Sequence, residues 1–214
     1  MADHDSLQMP LVEVIELAED YAFGGAFRIE RGRLRFRRFD GAMSEPITRI
    51  TFERNDAVGV LLYDPHDDGV ILVRQFRFPV FAALPPEQQA DEGARKAWLI
   101  EVIAGVQDPG YGVREVAHKE MLEESGYKLH GPLEHVMTFY VSPGGTSERV
   151  HLFYGELDHR ARAEAGGGVL AEGEDTQVIF VPRAQALAMV ASGEICDAKT
   201  IIALQNLELR RIQR

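Results

Sequence analysis

Three glutamates fall within five residues in the stretch "KEMLEESGYKL", at Glu120, Glu123 and Glu124. On a helix, positions i, i+3 and i+4 project from one side, so this spacing gives three carboxylates a shared reach. Like charges held that close repel one another and are costly to desolvate unless a cation neutralises them. Carboxylate oxygens suit the hard cations Mg²⁺ and Mn²⁺, which keep several waters and take remaining oxygens from a substrate phosphate. The plainer alternative is an acidic face that overhangs the core edge and reaches water.

The choice depends on the element that carries them. From Val113 to Ser125 the chain has no Gly or Pro and is entered through "DPGYG", which predicts a helix of about three turns. At about 100° per residue, Val113, Val116, Ala117 and Met121 form its apolar stripe. Glu120 and Glu124 fall near the middle of that stripe, where a solvated charge does not belong, and Glu123 at its edge.

Around this helix the texture is that of strands. From Val12 to Ile50 large apolar residues alternate with charged ones, as in "FRIERGRLRFRRFDGAMS", which predicts antiparallel strands with a turn near Asp40 and Gly41. "AVGVLLYDPHDDGVILVRQFRF" reads as a buried hairpin, so a boundary is expected near Arg54, dividing residues 1–54 from a larger domain at 55–214. "PEQQADEGARK" lacks apolar periodicity and is expected to be an exposed loop, with one strand following in "AWLIEVIAG". Further strands are expected in "HVMTFYV", "RVHLFYGEL" and "TQVIFV". Two helices close the chain, one after Pro182 and one in "DAKTIIALQNLELRRI" with Asp197 as its N-cap.

Composition removes several function classes. With 45% hydrophobic and 27% charged residues, 214 residues can bury a sizeable core. The net charge of −11 opposes nonspecific attraction to nucleic acid or anionic lipid, so phosphate handling calls for a cation. Cys196 is the only cysteine, which excludes an intrachain disulfide and a thiolate zinc cluster. "MADHDSLQMP" holds acidic and polar residues where a signal peptide needs an apolar run, the apolar runs are too short to span a bilayer, and a cytoplasmic location is expected. The histidines show no ligand spacing.

The longer frame "GVQDPGYGVREVAHKEMLEESGY" resembles the Nudix box. Gly105, Glu120, Met121, Glu123, Glu124 and Gly126 match in register, with Tyr127 at the closing apolar position. Tyr111 stands where the family has glutamate, and Lys119 where it has arginine. The segments "FERNDAVGVLLYDP", "VILVRQFRFPV", "YVSPGGTSERVHLFYGEL", "AEGEDTQVIFV" and "GEICDAKTIIALQNLEL" extend the likeness to the ADP-ribose pyrophosphatase branch, with GDP-mannose pyrophosphatases close to it. The resemblance implies an α/β fold, the α/β/α sandwich around a mixed sheet, preceded by a small antiparallel β domain. It also implies a homodimer whose N-terminal domains are exchanged.

Carried onto this sequence, the resemblance places metal ligands at Glu120 and Glu124, with Glu123 beside them and the Ala104 carbonyl just before the box glycine, Gly105. Two or more Mg²⁺ or Mn²⁺ ions per site are implied. The loop from Gly105 to Gly112 feeds a helix N-terminus, whose free N–H groups and dipole favour a diphosphate. Arg77 matches a phosphate contact and Arg49 a position near the nucleotide, and Phe27 or Phe23 is a candidate to stack on the base. A general base has to come from elsewhere, and "GGGVLAEGED" offers Glu172 and Glu174 on a loop expected to be flexible at its glycines and to close over substrate. "SPGGTSER" matches the substrate loop, with Ser142 and Glu148 as contacts. The activity implied is hydrolysis of ADP-ribose to AMP and ribose 5-phosphate. The alternatives are a nucleotide-sugar pyrophosphatase acting on GDP-mannose and a Nudix-fold module that senses a nucleotide without cleaving it.

Overall fold

The computed structural model describes residues 11–24, 27–107 and 110–213, apart from the side chains of Asp91 and Glu172. Residue contacts divide the chain into two units. The first runs to Asn55 and includes Ser142–Glu148, and the second holds Asp56–Val141 and Arg149–Arg214.

In the first unit, β1 (Val12–Phe23), β2 (Phe27–Phe36) and β3 (Ile47–Glu53) form a three-stranded antiparallel sheet in that order. The period-two pattern lets arginines on β2 meet acids on β1, as where Arg31 Nε reaches Asp20 at 3.0 Å. The β2–β3 connection turns at Arg38–Ala42, with the Gly41 N–H on the Arg38 carbonyl at 2.9 Å. Segment 142–148 joins this unit through the Phe52 N–H to the Gly145 carbonyl (2.8 Å) and an ion pair between Arg54 and Glu148.

The second unit opens with β4 (Ala57–Asp64), β5 (Gly69–Phe76) and a short helix α1 (Phe78–Ala83). After two 3₁₀ turns come β6 (Trp98–Glu101), β7 (Ile103–Val106) and helix α2 (Val113–Ser125). β8 (Glu134–Tyr140), β9 (Arg149–Glu156), β10 (Thr176–Pro182), α3 (Arg183–Ser192) and α4 (Ala198–Ile212) complete it. Its seven-stranded sheet has the order β10-β5-β4-β9-β8, with β6 on β5 and β7 on β4, and β4 runs parallel to β9 while the other pairs are antiparallel.

The central strands β4 and β5 are buried on both faces of the sheet. Leu61, Tyr63 and Leu72 pack in one cluster with Ala186, Met189, Leu204 and Leu207 of α3 and α4. Val58, Val60, Leu62 and Ile71 pack in the other with Val116, Ala117 and Met121 of α2. Each Val, Leu, Ile or Met among them, fully buried, contributes roughly 1.5–3 kcal/mol. This sandwiching explains why β4 and β5 read as continuous apolar runs with no polar face. Among the described residues no helix is long and apolar enough to cross a membrane.

Two expectations change. "AWLIEVIAG" is two strands, because β6 pairs with β5 (Val73 opposite Glu101) while β7 pairs with β4 (Val60 opposite Ile103). Between them Val102 turns its N–H out of the ladder to the Thr200 hydroxyl on α4, at 2.8 Å. "PEQQADEGARK" contains 3₁₀ turns at Pro86–Gln88 and Asp91–Ala97 rather than plain loop. Helix α1, of six residues, is shorter than any periodicity window and buries none of them.

Candidate active site

Helix α2 runs from Val113 to Ser125 as its punctuation predicts and buries Val116, Ala117, Glu120, Met121, Glu124 and Ser125. Two carboxylates therefore sit on its core-facing side. Its N-terminus is closed by Glu115, whose side chain accepts from the Gly112 N–H at 2.8 Å. Gly126 closes the other end in the left-handed conformation, φ 73°, its N–H on the Leu122 carbonyl.

Glu124, 2% exposed, accepts from the Ala104 N–H at 2.9 Å and from the Gln75 amide at 3.4 Å. Glu120, 8% exposed, lies against the backbone of Gly105 so closely that a Cβ there would overlap its carboxyl group. Ala104 and Gly105 lie on β7, beyond the break in the ladder at Val102. Before that break, at the end of β6, Glu101 receives both Nε and Nη2 of Arg77 at 2.8 Å.

Burial pushes the Glu120 carboxyl up to about 8, reinforced by the charge of Glu124, while Lys119 pulls the other way. Burial likewise pushes Glu124 up to about 7, against the Ala104 N–H and Arg77, and Glu174 adds to the rise in both. Two buried carboxylates that resist ionising beside each other could hold a divalent cation, which would remove both penalties at once.

A stability trend follows for protein stripped of metal by EDTA. Both acids titrate above their ordinary 4.5, so between that value and about 8 the folded chain holds protons the unfolded chain has released. Stability therefore falls as pH rises through this window, and melting by calorimetry should show Tm dropping by several degrees from pH 5.5 to 8.5. Added Mg²⁺ should recover most of the loss at pH 8.5. A Tm that is flat across the window would contradict the burial of two repelling carboxylates.

Glu123 departs from the shared reach expected of the trio. It points to Lys119, 3.7 Å away, and its side chain is 32% exposed, because its place on the helix is the edge of the buried stripe. The glycine tract expected to be flexible has specific backbone contacts. Gly166, Gly167 and Gly168 have φ of 62°, 109° and 81°, and the last two donate to the carbonyls of Glu124 and Glu123 at 2.9 and 3.0 Å. A Cβ on Gly166 would overlap the backbone at Ser125 and Gly126. Glycine is there for close approach and positive φ, and the tract is tied to the end of α2. Beyond it, Glu174 accepts from the Val169 N–H at 3.4 Å, and the Glu172 side chain lies outside the described residues.

Comparison with known proteins agrees with this architecture. The model of the NUDIX domain matches residues 53–203. The chain belongs to the Nudix hydrolase family. It is 37% identical to an ADP-ribose pyrophosphatase of Haemophilus influenzae over 92% of this chain and 87% of the relative. An ADP-ribose pyrophosphatase of Escherichia coli K12 is 36% identical over 92% and 88%, and a GDP-mannose pyrophosphatase of Pectobacterium atrosepticum 38% over 76% and 77%. A crystal structure of an ADP compounds hydrolase superposes with a TM-score of 0.64 at 18% identity, covering 95% of this chain and 94% of that one, a likeness of fold.

The two departures from the Nudix box both lie at exposed positions. Tyr111 is 60% exposed and its carbonyl accepts from the Gln107 amide, while Lys119 keeps a cation beside Glu120 and Glu123. Asp108 and Pro109, in the loop that leads to α2, lie outside the described residues, as does the sequence "MADHDSLQMP".

The remaining expected contacts belong to the first unit. Arg49 is exposed on β3, its Nη1 on the Thr48 carbonyl. Phe27 stacks on Phe52 with centroids 5.8 Å apart and planes 4° from parallel, and Phe23 is 65% exposed. The Ser142 carbonyl accepts from Gly145 and Thr146, and Glu148 pairs with Arg54 at 3.4 Å.

Sequence reasoning assigned the histidines nothing, yet His159 meets Asp64 and Asp67 in a group whose ligand atoms lie within 4.8 Å. The buried Asp64 already accepts from His66 N, Asp67 N, His159 N and His159 Nδ1, and Asp67 pairs with Arg160. Its lone pairs are used, so the group locks the β4–β5 turn to the segment after β9. No sequence signal marks it, because His159 stands 95 residues from Asp64.

Proposed function

We propose that the protein hydrolyses the diphosphate of ADP-ribose to AMP and ribose 5-phosphate. The observation that carries this reading is the pair Glu120 and Glu124, buried together against the backbone of Ala104 and Gly105. Such a pair has no use in a packed core and suits a Mg²⁺ or Mn²⁺ site that receives phosphate oxygens. The choice of ADP-ribose is supported by the likeness to ADP-ribose pyrophosphatases over 92% of this chain.

Glu120 and Glu124 would hold the cations, with the Ala104 carbonyl as a further donor and Glu123 at the margin. The chemistry a bound divalent cation supplies is polarisation of the phosphoryl oxygens and a lower pKa for the attacking water. Arg77 has both Nε and Nη2 on Glu101, while Nη1 makes no hydrogen bond among the described residues, which suits it to a diphosphate oxygen. Glu172 or Glu174 takes the proton from water as its oxygen bonds to one phosphorus and the bridging P–O bond breaks. The proximity of Glu174's charge to both buried acids supports this loop as the source of the base. Phe27, Arg49, Ser142 and Glu148 are proposed as substrate contacts on the resemblance alone.

The test is an assay of purified protein with Mg²⁺ and a panel of nucleoside diphosphate derivatives, products identified by mass. AMP from ADP-ribose should be the fastest product. Either Glu172→Gln or Glu174→Gln should lower kcat by ~10²–10⁴-fold with little change in KM, as befits a general base. Faster release of GMP from GDP-mannose would move the substrate to the second group of relatives, and absence of any turnover would leave a sensor. If both loop variants keep full activity from pH 6 to 9, the base lies elsewhere.

A further inference from the structure

Glu101 is 1% exposed, and it is contacted by two cations. Arg77 grips it with a bidentate fork, Nε on Oε1 and Nη2 on Oε2, both at 2.8 Å. Lys199, from the first turn of α4, reaches the same Oε2 and also meets Asp197 Oδ1 at 2.9 Å. Asp197 is engaged with its helix, its Oδ2 accepting from the N–H and hydroxyl of Thr200 at 3.0 and 2.6 Å.

One guanidinium is enough to satisfy a buried carboxylate. The second cation is therefore surplus to the burial of Glu101, and its physical effect is to draw charge from the oxygen that Arg77 also uses. The bidentate fork fixes the plane of the guanidinium, and sharing Oε2 keeps the fork from neutralising it. Arg77 is also within the field of Glu124, since it lowers Glu124 and Glu124 raises it.

We infer that Glu101 and Lys199 are a positioning pair for Arg77, Glu101 aiming the Nη1 edge, which makes no hydrogen bond among the described residues, and Lys199 keeping that edge attractive to the substrate diphosphate. This inference rests on the reading that Arg77 meets the diphosphate. It makes β6 and α4, which carry no cation ligand, part of the machinery for substrate binding.

The experiment is a double-mutant cycle on the full chain, with kcat and KM for ADP-ribose at saturating Mg²⁺ and Tm for every variant. Arg77→Ala should raise KM by about tenfold or more, and Glu101→Gln should lower kcat/KM by about tenfold through KM, while in the Arg77→Ala background Glu101→Gln changes kcat/KM by less than about twofold. Lys199→Met should raise KM by about three- to tenfold with kcat nearly kept, and Lys199→Arg should restore KM to within about twofold. An equal loss from Glu101→Gln in both backgrounds would overturn the positioning role while leaving the contact of Arg77 intact. A wild-type KM in Arg77→Ala would instead remove the phosphate contact itself, and the inference with it. Should Glu101→Gln not fold, the lysine pair decides alone, and an unchanged KM in Lys199→Met overturns the inference.

Discussion

Glu124→Gln is expected to abolish turnover while leaving a folded protein. The amide keeps the volume of the carboxylate and an oxygen for the Ala104 N–H, and its NH₂ can face the carbonyl end of Gln75 once that amide turns over. What disappears is one of two negative charges for a cation. Loss of a ligand that stabilises charge in the transition state costs several kcal/mol, on the order of a thousandfold or more in kcat. In EDTA the variant should melt no lower than the parent at pH 8, since a carboxyl pushed up to about 7 by burial is itself a liability there. Steady-state kinetics at saturating Mg²⁺ with a parallel thermal melt gives both readouts, and a kcat within a few-fold of the parent would sink the cation site.

The second large effect is expected at a residue with no side chain. Gly105→Ala would set a methyl group on Cγ, Cδ and Oε1 of Glu120. Gly105 is not in the left-handed region, so its backbone accepts alanine, and the clash is with the mobile end of a side chain. The outcome should be a displaced Glu120 in an otherwise intact fold. A shift of about 1 Å at a reacting centre costs about 10²-fold, and kcat should fall by at least that, with the Mg²⁺ concentration for half-activation raised. Circular dichroism and a Mg²⁺ titration of activity separate this from unfolding. Parental activity at parental Mg²⁺ would mean that Glu120 is not held where it acts by its approach to Gly105.

Much of the site was legible because it lies on one local element. The limits of α2 follow from Gly and Pro punctuation, and the depth of Glu120 and Glu124 from their place in a 3.6-residue stripe, both properties of consecutive residues. Glu123, at the edge, was free to take a surface partner, and Lys119 one turn away offered it. What supports these side chains was not legible. Gln75 is 49 residues from Glu124, Glu101 is 24 from Arg77, and Lys199 is 98 from Glu101, separations over which only the assembled tertiary fold decides who meets whom. The split of "AWLIEVIAG" escaped for the same reason, since the residue that interrupts it answers to a hydroxyl on α4. The packing of the glycine tract was not legible either, because composition does not reveal which glycines stand where nothing larger fits.

That tract also bears on precision. The last carbonyls of a helix have no partner within it, and an end left to water frays. Here the carbonyls of Glu123 and Glu124 receive the N–H groups of Gly168 and Gly167, and the Gly167 carbonyl in turn takes the N–H of Thr176 at the start of β10. Ordering three consecutive glycines costs more chain entropy than ordering any other tripeptide. What it returns is certainty of height: the final turn of α2 is clamped to a strand of the sheet, so Glu124 is spared the uncertainty of position that comes with being one residue from a helix end.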